Sequence, residues 1–295
     1  MARNPAAQTA FGPMVQAAIE QYEPPERRLA SDDLALSILP AGQRAMVRAM
    51  RWPLLRRLTI SAGERAVPGS WSLIACRKRY IDDKLDEALP NIDSVVVLGA
   101  GMDTRAYRLA RRSDIPVFEV DLPVNIARKK AAVAQAIGAV PASVRLVPVD
   151  FERDDLISAL TGLGYRTDAR TFFIWEGVTQ YLSQDAVRAT LVALRAAAPP
   201  GSRLVFTYVR RDFIEGANMY DAAILYKRFR QLQQVWRFGL DPEQVSAFVA
   251  EYGWQLVEQA GPDYYLRNYI EPTGRKLAAS QLEWTAYAEK TATST

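Results

Sequence analysis

The stretch "VVVLGAGMDTRAYRL", residues 95–109, decides the fold. Three valines and a leucine form a run of strand length without a polar break, the pattern of a strand buried on both faces of a sheet. Gly99 and Gly101 follow at once and permit a tight turn with close approach of a ligand to the backbone. A helix-like segment comes next. Strand, glycine turn and helix in that order place a ligand beyond the C-terminal end of the strand. A dinucleotide fingerprint wants a third glycine at position 104, where this chain has Thr104. Asp103 also stands in the turn. A carboxylate there is a poor neighbour for a diphosphate and an acceptable one for a sulfonium and an ammonium. The turn therefore fits S-adenosylmethionine better than a nicotinamide dinucleotide.

Downstream, "VFEVD" (117–121), "VRLVPVD" (144–150), "RTFFIWEG" (170–177) and "RLVFTYV" (203–209) read as four further strands. Pro123 opens a helix that Gly138 closes. Ser183 can N-cap another, with Asp185 in its first turn and Val187, Leu191 and Leu194 on one face. Strands alternating with helices predict a largely parallel sheet covered on both faces. "WQLVEQA" (254–260) and "YYLRNYI" (264–270) read as two more strands. Residues 210–240 break the rhythm with helical spacing and many Tyr, Phe, Trp and Arg. They are either a core helix pair or a cap over a substrate.

Upstream, "AAIEQY", "DDLALSIL", "QRAMVRAMRWPLLRRL" and "SLIACRKRYIDDKLDEAL" have helical spacing, punctuated by Pro40, Pro53, Pro68 and Pro90. The expected organisation is a helical N-terminal region or lid over 1–90, then a sheet domain over 91–295 with a cap insertion at about 210–240.

Composition narrows the chemistry. The 295 residues are 49% apolar and 24% charged, as in a soluble globular protein with a substantial core. No apolar run approaches the roughly 20 residues of a membrane span. The N-terminal "MARNPAAQTAFGPM" lacks the apolar core of a signal peptide, so the expected compartment is the cytoplasm. The single cysteine, Cys76, excludes an intrachain disulfide and a cysteine-based zinc site, and its helical setting reads as a buried inert thiol. The chain has no histidine, which excludes histidine triads, histidine-ligated metals and imidazole acid–base chemistry. No metal site is expected. The net charge of +4 is scattered in short groups, so a nucleic acid is not an expected partner and anionic small molecules are favoured; without a spanning segment, a membrane is not an expected partner either.

The strand ends carry the next signal. Asp121 ends the second strand twenty residues after Gly101, where an acid can accept both hydroxyls of an adenosine ribose. Asp150 ends the third and is followed by Phe151, a pair suited to an adenine. Glu176 follows Trp175 at the end of the fourth.

These segments in this order, "VVVLGAGMDTRAYRL", "VFEVDLP", "VPVDF" and "WEGVTQYLS", resemble the leucine carboxyl methyltransferase family of class I S-adenosylmethionine-dependent methyltransferases. The resemblance runs from about Arg77 to Tyr181 and extends to "RNYIEPTGR" near the C-terminus. It implies a Rossmann-like α/β fold with a mostly parallel sheet of seven strands, a helical N-terminal region and a helical cap. It implies S-adenosylmethionine as cofactor, leaving as S-adenosylhomocysteine, with no metal. By the same resemblance Arg77, or alternatively Arg79, meets the cofactor carboxylate. Gly99, Gly101 and Asp103 form its turn, Asp121 meets the ribose, and Asp150 and Phe151 meet the adenine. Glu176 lies near the amino-acid end with Tyr181 behind it. The lysine that some members use on the cofactor carboxylate has no counterpart around "SDDLALSILP".

Methyl transfer from a sulfonium needs positioning more than proton transfer. A carboxylate acceptor is already ionised, so the lack of histidine fits methyl ester formation on a small molecule or peptide, as in secondary metabolism. A hydroxyl or phenol acceptor is the alternative, since Asp, Glu or Tyr could serve as base. A nicotinamide-dependent oxidoreductase is the more distant one. Tyr208, Arg210, Arg211, Tyr220 and Tyr226, in or beside the cap segment, are the candidate acceptor contacts.

Overall fold

The structure is a computed structural model that describes residues 11–292; the start of "MARNPAAQTAFGPM" and the last three residues of "KTATST" lie outside it. Four helices come first: α1 (Gly12–Glu20), α2 (Ala41–Ala49), α3 (Pro53–Ala66) and α4 (Ser70–Ala88). "DDLALSIL" forms isolated turns rather than the expected helix. The reason is Asp32, whose buried carboxylate accepts from Thr104 and pairs with Lys78 and so draws this segment toward the glycine turn.

The sheet is built from β1 (Ser94–Leu98), β2 (Val117–Asp121), β3 (Val144–Pro148), β4 (Thr171–Trp175), β5 (Arg203–Val209), β6 (Trp254–Ala260) and β7 (Glu283–Lys290). Their order is β3-β2-β1-β4-β5-β7-β6. The first five strands are parallel; β7 runs antiparallel between β5 and β6. Parallel strands need crossovers. Helices α5 (Arg105–Leu109), α6 (Pro123–Ile137), α7 (Leu156–Thr161) and α8 (Gln184–Ala197) supply them. The predicted punctuation appears in place: Pro123 starts α6, Gly138 ends it, and Ser183 Oγ accepts from Ala186 N–H at the head of α8.

The β1 run is apolar on both faces because both faces are covered. Val95 and Val97 join a core shared with the N-terminal helices, while Val96 and Leu98 join the core on the other side with α7 and α8. Cys76 is fully buried in the first of these layers, and burial raises its thiol pKa.

Two strand assignments need correction. "YYLRNYI" is helical, running through Pro262–Tyr265 into a wider turn at Leu266–Ile270. Pro262 favours a helix start, and Tyr265 stacks on Tyr269 one turn later. The remaining strand is β7, "EWTAYAEK", which sequence reading passed over. It alternates: Ala286 and Ala288 face one core, and Tyr287 the other.

Beneath the glycine turn lies a charged group with no solvent access. Glu119 of β2 accepts from Lys129 of α6 and from Tyr107 of α5, and Lys129 Nζ also donates to the Ala100 carbonyl at 3.2 Å. Burial raises the Glu119 pKa, and the Lys129 ammonium partly offsets this. Lys129→Met leaves that carboxylate buried and unpaired. The expected cost is about 3–5 kcal/mol in denaturant unfolding, and Glu119→Leu in the same chain should recover most of it.

Candidate active site

The C-terminal ends of β1 and β2 meet at the turn. Gly99 and Gly101 both have positive φ, at 69° and 45°, and a Cβ on Gly99 would collide with Val178. Gly99 and Ala100 donate their N–H groups to the Val120 carbonyl at 2.7 and 2.9 Å, which folds the turn over the end of β2. Gly101 N–H donates to Asp121 Oδ2 at 2.6 Å. Asp121 Oδ1 accepts from Leu122 N–H and from Asn125 Nδ2, each at 2.7 Å. Beside it, the buried Asn125 Oδ1 is an acceptor with no partner. Sequence reasoning missed Asn125; its only signal was its place one helical turn after Asp121. Val149 N–H donates to the Asp121 carbonyl at 2.8 Å, which brings half-buried Asp150 and Phe151 to the same edge.

Behind the turn lies an ion cluster. Arg105 of α5 pairs with Asp82, Asp103 and Glu176 and donates to the Lys78 carbonyl at 3.0 Å. Arg77 of α4 donates from Nε to Glu176 at 3.0 Å and from Nη1 to both oxygens of Glu283 at 2.6 and 2.8 Å. Lys78 lies 3.1 Å from Asp32 and 3.7 Å from Asp103. Arg108 pairs with Asp82 at 2.9 Å. Burial by itself would raise Asp82, Asp103 and Glu176. The guanidinium of Arg105, helped by Arg108, Lys78 and Arg77, instead holds all three below the ordinary carboxyl range. Arg79, the alternative to Arg77, is half-exposed and pairs with Asp83 at 3.1 Å, away from the turn. Gly177 has φ 67°, and a Cβ there would stand 3.0 Å from Arg77 Nη2.

The candidate acceptor residues separate. Arg210, at the end of β5, lies 3.3 Å from Asp212 and stacks over the Tyr220 ring at 5.0 Å. The Tyr220 hydroxyl donates to Asp212. Burial and this bond push the Tyr220 hydroxyl up to about 12, and Tyr220 and Arg210 hold the Asp212 carboxyl down against its own burial. Arg211 turns to Asp241 at 3.4 Å instead. Tyr208 is 0% exposed and donates to Gln259 at 2.6 Å, so it is a core residue with no face for an acceptor. Tyr226 packs edge-on against Phe213, inside the apolar cluster of the 211–238 segment. Tyr181 packs edge-on to Trp236 of that cluster, 6.4 Å between ring centres. It thus joins the end of β4 to the 211–238 segment.

A family profile described as leucine carboxyl methyltransferase matches residues 10–195. The chain belongs to the leucine carboxyl methyltransferase family. Relatives named "Putative S-adenosyl-L-methionine-dependent methyltransferase" match much of the chain. One from Mycolicibacterium paratuberculosis is 35% identical over 236 residues, covering 72% of this chain and 73% of its own. One from Mycobacterium avium is 34% identical over 235 residues, with the same coverage. A solved structure from Thermobifida fusca, titled a putative methyltransferase, superposes with a TM-score of 0.57 over 98% of each chain at 17% identity, and shows the fold alone. The chain is an S-adenosylmethionine-dependent methyltransferase with the Rossmann-like sheet of its class.

The donor set at the turn fits that cofactor. Asp121 and the unpartnered Asn125 Oδ1 present two acceptors side by side, the chemistry that a ribose diol asks for. The ion cluster joins four cations, Arg77, Lys78, Arg105 and Arg108, to five carboxylates, Asp32, Asp82, Asp103, Glu176 and Glu283. Its surplus of one negative charge suits a ligand whose sulfonium and ammonium outweigh its carboxylate. Asp32, Arg105 and Glu283 were invisible to sequence reasoning, although Arg105 stands in the opening stretch.

The depressed carboxyls fix the sign of a pH effect. A carboxyl held below its unfolded value stabilises the fold above that value and ceases to as pH falls through the folded one. Arg105→Met should cost about 3–5 kcal/mol of unfolding free energy near neutral pH. The gap between wild type and variant should stay constant above about pH 5 and narrow as pH falls below the ordinary values of 3.8 and 4.5 for Asp and Glu. Urea unfolding at a series of pH values measures it.

Proposed function

We propose that this methyltransferase forms a methyl ester on the carboxylate of a small molecule or peptide, as an enzyme of secondary metabolism. The observation that carries this is the arrangement at the end of β5, where the Tyr220 hydroxyl donates to Asp212 and Arg210 lies 3.3 Å from the same carboxylate. Tyr220 is pushed up to about 12 and so keeps its proton at neutral pH, while Asp212 is held down and is a weak base. Neither is poised to deprotonate a hydroxyl, and the chain has no histidine. Arg210 beside them offers a guanidinium, a good partner for an oxygen that is already ionised.

Bound S-adenosylmethionine supplies a methyl group on a sulfonium, which an acceptor oxygen displaces in line to release S-adenosylhomocysteine. In this reading the chain's own part is binding and orientation. Asp121 and Asn125 hold the ribose hydroxyls, Asp150 and Phe151 the adenine. Glu176 and Asp103 face the amino-acid end, with Arg77 Nη2 at Gly177 available to its carboxylate. Arg210 and Tyr220 orient the acceptor, and the 211–238 segment is its cap. Tyr208 and Arg211 take no part.

Calorimetry with S-adenosylhomocysteine tests the cofactor half: Asp121→Ala and Glu176→Ala should each weaken binding about tenfold or more, and Asn125→Ala less. Wild-type affinity in the first two would displace the site. For the acceptor half, methyl-labelled cofactor is incubated with a small-molecule and peptide extract of the source cells and the products are treated with mild base. Label released as methanol marks a methyl ester; transferred label that resists base marks an ether or amine and refutes the carboxylate reading. Arg210→Ala should raise the acceptor KM about tenfold while leaving S-adenosylhomocysteine affinity unchanged.

A further inference from the structure

Helices α2 and α3 bury very little of themselves. Only Val47 on α2 and Arg56 and Ile60 on α3 are buried. Arg56 ties the pair to the body, its Nε donating to Glu23 at 2.7 Å and its Nη1 to the Met50 carbonyl at 3.0 Å. At about 3.6 residues per turn, Leu54, Leu55, Leu58 and Ala62 share one side of α3, and Arg56 and Ile60 lie on the opposite side. The leucine side is turned away from the protein: Leu54 is 71% and Leu58 57% exposed, and Trp52 just before the helix is 62% exposed. Met46 on α2 is exposed as well.

The charge around this apolar stripe has one sign. Residues 41–66 contain six arginines and a single acid, Glu64. Glu64 is engaged at the start of α4, where it accepts from Gly69 N–H at 3.0 Å and Trp71 N–H at 2.9 Å. Arg48, Arg51, Arg57 and Arg65 are exposed, and among the described residues none of them is ion-paired. The Arg51 guanidinium sits 5.5 Å from the centre of the Trp52 ring.

We propose that the α2–α3 hairpin is a docking surface for an anionic lipid bilayer. A helix with leucines and a tryptophan on one side and arginines around them lies in the headgroup plane, with its apolar side in the acyl region and its guanidiniums on lipid phosphates. Tryptophan favours that boundary. The expectation of no membrane partner rests on the lack of a spanning segment, and surface adsorption needs none. A second copy docked on the same face by two-fold symmetry would set the arginines against one another. The proposal is independent of the acceptor reading, since none of these residues takes part in the hydrogen bonds and ion pairs described at the glycine turn and the β5 end.

Co-sedimentation tests it, using the full chain and vesicles of phosphatidylglycerol mixed with phosphatidylcholine, against vesicles of phosphatidylcholine alone. The protein should pellet with the anionic vesicles, and added salt should release it. Leu54→Ser with Leu58→Ser, and separately Arg51→Glu with Arg57→Glu, should each lower partitioning about tenfold or more while S-adenosylhomocysteine affinity holds. Brominated lipid should quench wild-type fluorescence more than that of Trp52→Phe, which reads the contact without disturbing the helix. Three results would overturn the proposal: no pelleting with anionic vesicles, equal pelleting with neutral ones, or a dimer in ultracentrifugation that the leucine variant dissolves.

Discussion

The contact on which the most depends is that of Arg105 and Arg77 with Glu176. It joins α4, the helix after the glycine turn and the end of β4, and through Glu283 it also reaches β7. Lys78 then draws in Asp32 from the segment between α1 and α2. Elements from five regions of the sequence thus hold their places around one set of charges. Such a cluster is costly to bury piecemeal and stable only when complete. The N-terminal segment that reaches this cluster runs as turns rather than a helix, with the Asp32 carboxylate held by Thr104 and Lys78.

Much of the sheet was legible in advance for a physical reason. Strands buried on both faces must be apolar without a break, and helices beginning at Pro123 and Ser183 carry their own start signals. The glycine turn was legible because positive φ at Gly99 and Gly101 excludes most other residues at little penalty only for glycine. Asp121 was legible because a parallel strand delivers its last residue to the ligand edge. β7 was not, since a strand that alternates between two layers and carries charge at its ends resembles an exposed segment. "YYLRNYI" misled because aromatic and β-branched residues favour strands intrinsically, whereas here they pack one helical turn apart.

The ion cluster shows a different limit. Asp82, Asp103 and Glu176 meet Arg105 across separations that carry no period, so no spacing rule reaches them. Asn125 is similar: its mark is a buried oxygen left unpartnered, which only three dimensions reveal. Tyr208 makes the converse point. Its place at the end of β5 looked functional, but it belongs to the apolar layer beneath, and the strand turns Arg210 outward instead.

Lys129 holds the Ala100 carbonyl from below while it neutralises Glu119. The glycine turn is thus stapled to the interior by a charge that has nowhere else to go, and the turn can loosen only if the core opens with it. The 211–238 segment is held differently: Phe213, Phe229 and Trp236 pack with Val67, Val209 and Leu282 into a small cluster of their own kind, apart from the two main layers. The glycine turn and the 211–238 segment are thus held on different terms, the first by a charge in the sheet core and the second by an apolar cluster at the end of β5.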